Sequence, residues 1–213
     1  MFEVREGRVK PGLDDKILTS WNGLMISAMA KGAQVLDDPT YAEAAVRAAD
    51  FVTSDMCQDG LLLATHRQGR SQLNAYLADY AFLVAGLTDL YEATFDTRWL
   101  VEAKRWANVL IENFWDQKDG GFYFTGKNHE QLLTRSRSGM DGAIPSGNAI
   151  AAETLLRLSV LTGETDFRAK GVELFRVFRT MMEKVPAGFS RFFIALDFYL
   201  DTPQEVAIVG TFD

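Results

Sequence analysis

The stretch Asp79–Phe114, DYAFLVAGLTDLYEATFDTRWLVEAKRWANVLIENF, reads as two helices of opposite character. The first, over Tyr80 to Ala93, is apolar almost all the way round, which suits a helix buried on more than one side. The second, over Arg98 to Phe114, spaces Glu102, Arg105 and Asn108 along one wet face, the signature of an amphipathic outer helix. The pair is written three times. Trp21, Asp79 and Gly147 begin the copies, and twenty residues later each has an aromatic: Tyr41, Trp99 and Phe167. In the same register Ala28, Gly86 and Thr154 align on the first helix, Ala45, Ala103 and Gly171 on the second, and Asp38, Asp96 and Glu164 at the connection. A repeat of this length is one helical hairpin plus a return loop.

The flanking copies show the same contrast. Trp21–Leu36 is weakly amphipathic, and Tyr41–Met56 follows Asp38-Pro39-Thr40, a good N-cap neighbourhood. Asn148–Leu161 is followed by Asp166–Lys184. An inner ring of apolar helices inside an outer ring of amphipathic ones is the pattern of an α/α toroid. Each outer helix ends in glycine and then apolar residues, at Gly60-Leu61-Leu62-Leu63, Gly120-Gly121-Phe122-Tyr123-Phe124 and Gly188-Phe189, so a left-handed terminus followed by a short strand is expected at each return. Phe189, Phe192, Phe193, Leu196, Tyr199 and Leu200 predict a seventh helix, stopped at Asp201-Thr202-Pro203; Glu205–Val209 reads as a strand, with 205–210 the first strand of a following element. The expected fold is therefore all-α, one domain over 1–213, holding three of the six hairpins of an (α/α)6 ring. Each hairpin of such an array leaves a side exposed until a neighbour covers it.

Composition narrows the partners. The chain has 213 residues, 47% hydrophobic, and a net charge of −7. No Lys/Arg-dense stripe appears, which argues against a nucleic-acid surface. Cys57 is alone, so no internal disulfide, CxxC pair or cysteine zinc site exists, and a reduced cytoplasmic setting is the default. No run of about 18 apolar residues suggests a membrane span, and the N-terminus lacks the apolar core of a signal peptide. No cofactor is implied, and no metal-ligand spacing is present.

The motifs LDDKILTSWNGLM (Leu13–Met25), AYLADYAFLVAGLTDLYEATFD (Ala75–Asp96), FWDQKDGGFYFT (Phe114–Thr125) and DGAIPSGNAIAAETLLRL (Asp141–Leu158) carry a family resemblance. The chain resembles the later portion of large proteins that join an N-terminal thioredoxin-like domain to an α/α toroid, the group that includes the spermatogenesis-associated thioredoxin-like proteins. The resemblance covers nearly the whole chain, EVAIVG included. It implies a fragment without the thioredoxin-like domain and the first part of the ring. The family's toroid is similar to N-acylglucosamine 2-epimerase and to six-hairpin glycosidases, a likeness of fold that transfers no activity by itself.

Chemistry is expected where loops enter inner helices, because parallel inner helices gather their free N–H groups and positive dipole ends on one face of the ring. Asp14, Asp15, Lys16, Trp21 and Asn22 come from the first entry, Asp79 and Tyr80 from the second, and Asp141, Ser146 and Asn148 from the third. Asp79 and Asp141 form the candidate acid and base-or-nucleophile pair, since glycoside chemistry needs two carboxylates roughly 5–10 Å apart. The same residues also fit a helix cap and the turn around Gly142. Asp14-Asp15-Lys16 fits an internally paired loop. Trp21 and Tyr80 could stack on a sugar's apolar face or serve as core aromatics. Asn22 and Asn148 would orient the ligand, and Pro145-Ser146-Gly147-Asn148 also reads as a plain helix-entry turn. Two functions follow. One is a toroid that binds a sugar-like molecule and hydrolyses or isomerises it; the other is a noncatalytic scaffold that binds a partner. In either case the half-ring is expected to self-associate or to pair with its missing half.

Overall fold

The computed structural model describes residues 2–201. A short exposed helix, α1 (Phe2–Glu6), precedes strand β1 (Ile17–Leu18). The first hairpin is α2 (Thr19–Leu36) and α3 (Pro39–Asp55), followed by strands β2 (Cys57–Gln58), β3 (Leu61–Arg67) and β4 (Arg70–Asn74). The second is α4 (Leu77–Thr94) and α5 (Thr97–Phe114), and the third α6 (Gly147–Thr162) and α7 (Thr165–Lys184). A 3-10 turn at Pro186–Phe189 leads into α8 (Ser190–Leu200), the expected seventh helix. The strand expected at Glu205–Val209 lies outside the described residues.

The repeat register explains where the helices stop and start. Asp37, Phe95 and Gly163 all follow an inner helix and are all left-handed, with φ of 53°, 55° and 74°. Asp38 and Asp96 then cap the outer helices, accepting hydrogen bonds from the N–H groups of Thr40 and Arg98, both at 2.9 Å. Ala45, Ala103 and Gly171 are buried against the inner layer.

Helix α4 is the centre of the core, with Phe82, Leu83, Leu87 and Leu90 fully buried. Each such side chain contributes roughly 1.5–3 kcal/mol by leaving water. Glycine sets its distance from α2: a Cβ at Gly23 would lie 2.5 Å from the carbonyl carbon of Phe82, and one at Gly86 only 2.7 Å from the Gly23 oxygen. A side chain at either position would push the helices apart.

The all-α expectation needs correcting. The return after α3 is not a single strand over the ring but part of an antiparallel four-stranded sheet, in which β3 pairs with β1, β2 and β4. Leu62 and Ala64 of β3 face the core, while alternate positions are partly solvated. After α5 the strand shrinks to one bridge between Trp115 and Phe122. After α7 there is none: the chain passes through the 3-10 turn straight into α8, too few residues for a return strand.

Candidate functional site on the inner helices

The inner helices α2, α4, α6 and α8 begin at one end of the molecule, and the predicted carboxylates tie those beginnings together. Asp79 Oδ1 accepts the N–H of Ser20 in the first turn of α2 (2.9 Å), and its Oδ2 accepts the N–H of Tyr76 before α4 (2.8 Å). Asp141 repeats the device, with Oδ1 on the N–H of Ser146 at the start of α6 and Oδ2 on that of Arg191 in α8, both at 2.9 Å. Burial pushes the Asp79 carboxyl above the ordinary range against the pull of the Tyr76 and Ser20 bonds.

Tyr80 and Asn148 occupy the next register position and hold the return loops. The Tyr80 hydroxyl accepts the N–H of Leu62 at 2.9 Å while its ring packs on Trp106 and Phe114, and burial pushes its pKa up to about 12. Asn148, fully buried, accepts from the Phe122 N–H (2.8 Å) and donates to the carbonyls of Phe122 (3.0 Å) and Ser138 (2.9 Å). Leu62 and Phe122 each lie two residues after a left-handed glycine of the return, Gly60 and Gly120. The left-handed glycine termini expected for the outer helices are not formed: α3, α5 and α7 stop at Asp55, Phe114 and Lys184, and the residues that follow, Met56, Trp115 and Val185, have φ of −103°, −66° and −135°. Asn22, in the same position of the first copy, donates to the Leu18 carbonyl at 2.9 Å.

Trp21 is 63% exposed. Its counterparts explain why: Asp79 reaches back to Ser20 on α2, and a Cβ at Gly147 would meet Leu77 of α4, so this register position faces the preceding inner helix. No inner helix precedes α2 among the described residues. Ala28 is exposed for the same reason, whereas Thr154 at its position in α6 is 2% exposed. Asp14, Asp15 and Lys16 are surface groups, with Lys16 Nζ 2.8 Å from Asp14 and Arg67 paired to Asp15. Among the described residues no hydrogen bond or ion pair joins them to Asp79 or Asp141.

The concave face of the inner helices holds polar residues that the sequence reading passed over. A cavity of about 400 Å³ is lined there by α2, α4, α6 and Arg191 of α8. Its wall repeats in layers: Leu24, Phe82 and Ile150 are apolar, and two turns further along come Lys31, Asp89 and Arg157. These three charges stand ten residues after Trp21, Asp79 and Gly147, so the repeat register was the signal that could have found them. Arg157 Nη2 donates to Asp89 at 2.6 Å and to Glu92 at 2.8 Å, and Lys31 Nζ reaches Glu92 at 3.2 Å. Burial works against the Arg157 charge, but the two carboxylates outweigh it and raise its pKa. Between the layers, Glu153 pairs with Arg191 at 2.5 Å, and burial pushes its carboxyl up despite the opposing pull of Arg191 and Arg157.

The chain is 35% identical to spermatogenesis-associated protein 20 of Rattus norvegicus and 34% to that of Homo sapiens, each over 221 residues and 99% of its length. Over its whole length the chain is homologous to spermatogenesis-associated protein 20. It spans 28% of those relatives and 30% of the uncharacterized protein B0495.5 of Caenorhabditis elegans, to which it is 28% identical. No protein-family model matches. Among solved structures it superposes on the cellobiose 2-epimerase of Spirochaeta thermophila with a TM-score of 0.64 at 21% identity, covering 78% of this chain and 43% of that one. A GH76 α-mannanase of Bacteroides thetaiotaomicron gives 0.65 at 14%, covering 80% and 47%, and a D-mannose isomerase 0.61 at 16%, covering 79% and 44%. The fold is thus a partial α/α toroid, mostly helical with a small sheet. No helix among the described residues is long and apolar enough to cross a membrane.

Proposed function

We propose that the chain forms one side of a six-hairpin α/α toroid and that a sugar-like molecule binds, and is hydrolysed or isomerised, against the concave face of its inner helices. The cavity there carries the reading. Its volume falls within the range of small-molecule sites, roughly 300–1,000 Å³, and it combines an apolar wall with a few converging polar groups. The structural neighbours include sugar epimerases and glycoside hydrolases, which supports the ligand class by likeness of fold alone.

Glu153 is the group best suited to move a proton. Burial pushes its carboxyl above the ordinary range, and it lines the cavity, the two features that an acid or base group needs. Asp79 and Asp141 enter as positioning groups: Asp141 fixes the backbone of Arg191, and an acid–base role for the pair would require each to release a backbone donor. Trp21 belongs to the seam with a neighbouring hairpin. The noncatalytic scaffold is the second reading, and it is favoured by the complete engagement of both carboxylates by backbone N–H groups. Saturation-transfer NMR of the chain with cellobiose and D-mannose, combined with amide shift mapping and product analysis, decides between them. Sugar-induced shifts confined to α2, α4, α6 and α8 are expected. No binding by any neutral or acidic sugar would leave the scaffold.

A further inference from the structure

We infer that the concave cavity selects an uncharged polyol over uronates and sugar phosphates, with Glu153 and Arg191 acting as a clamp on its hydroxyl groups. The inference rests on the carbohydrate reading and deepens it. Charge balance is the first argument. Lys31, Arg157 and Arg191 are the cations of this network, and Asp89, Glu92 and Glu153 oppose them. Every cation already has a carboxylate, and an anionic ligand at Arg191 would have to displace Glu153, which is nearly buried and has its one ion pair among the described residues there, a costly exchange.

The second argument is an unmet pair of hydrogen-bonding atoms. Glu153 Oε2 and Arg191 Nε are both buried without a hydrogen-bond partner. Oε2 lies 2.5 Å from Arg191 Nη2 but off the alignment that a hydrogen bond needs. One atom is an acceptor and the other a donor. A hydroxyl is both at once, so adjacent hydroxyls of a sugar can donate to Glu153 and accept from Arg191 without bringing in charge. Arg191 can move to admit them. Its side chain is 30% exposed and has one carboxylate partner among the described residues, whereas Lys31 and Arg157 have two each. Partly exposed Leu24 and exposed Ala28 on the cavity wall offer the apolar surface that the C–H face of a pyranose needs.

The test measures binding of D-mannose and cellobiose, and of D-glucuronate and glucose 6-phosphate, to the 213-residue chain by titration NMR. Neutral sugars should bind at least tenfold more tightly than the anionic ones. Glu153→Gln, and separately Arg191→Gln, should weaken the neutral sugars by tenfold or more, while Arg179→Gln on the exposed face of α7 leaves them unchanged. Should Glu153→Gln not fold, Arg191→Gln and the comparison of sugars on the unaltered chain still decide the matter. Tighter binding of the anions, or neutral binding that neither cavity variant alters, would overturn the inference and leave the carbohydrate reading standing. Failure of every sugar to bind would remove that reading as well.

Discussion

Replacing Asn148 by alanine tests whether the position holds the fold or a ligand. The side chain is 0% exposed and makes three hydrogen bonds to the loops before α6. Each such bond contributes about 0.5–1.5 kcal/mol net, and the buried Phe122 N–H left without an acceptor costs about 1–3 kcal/mol. The expected loss is about 3–5 kcal/mol, a large share of the roughly 5–15 kcal/mol that holds a domain together. Asn148→Asp should be no better, because it keeps the acceptor for Phe122 N–H but turns a second acceptor toward the Phe122 and Ser138 carbonyls. Urea denaturation gives the loss directly, provided the slope is unchanged. Tyr80→Phe, which frees the Leu62 N–H at the start of β3, should cost about 1–3 kcal/mol and add to the Asn148 effect, since the two share no partner. A loss below about 1 kcal/mol for Asn148→Ala, together with abolished sugar binding, would refute the structural role and restore the residue to the ligand.

Gly23→Ala should destabilise by about 1–3 kcal/mol through overpacking against Phe82, read as a lower thermal midpoint. Phe95→Gly, at a left-handed position 78% exposed, should stabilise by about 1 kcal/mol, measured by the same melt. Arg157→Met leaves the nearly buried Asp89 with only Lys31 at 3.6 Å, and should cost about 3–5 kcal/mol in urea. For Asp79 the folded-state pKa lies above the unfolded value of 3.8, so the proton stabilises the fold. Its contribution is complete below pH 3.8 and is lost as pH rises through the higher folded value; an Asp79→Asn variant should lack that acid-side gain in a pH series of denaturation curves. The exposed Trp21, Met25 and Val35 on α2 should drive self-association, visible as a mass above the monomer in light scattering and reduced by Trp21→Ser.

Sequence alone was enough for α2 to α8 and their order, because a 3.6-residue apolar period and a repeated register are local properties of the chain; the short α1, with no buried residue, was not expected. The positions of Asp37, Phe95 and Gly163, and of Lys31, Asp89 and Arg157, are written in that register too. The four-stranded sheet was less legible, since Ile17 and Leu18 pair with His66 and Thr65 only after the first hairpin has brought them together. The fate of each candidate side chain was decided by tertiary structure. A cap, a turn and a core aromatic could be read locally for Asp79, Asp141 and Tyr80, but the N–H groups of Ser20, Leu62, Arg191 and Phe122 that Asp79, Tyr80, Asp141 and Asn148 accept come from other loops, strands and helices. Trp21 stays exposed for the opposite reason: its register position needs a preceding inner helix, and burial of a side chain depends on which surface stands opposite, which no local pattern specifies.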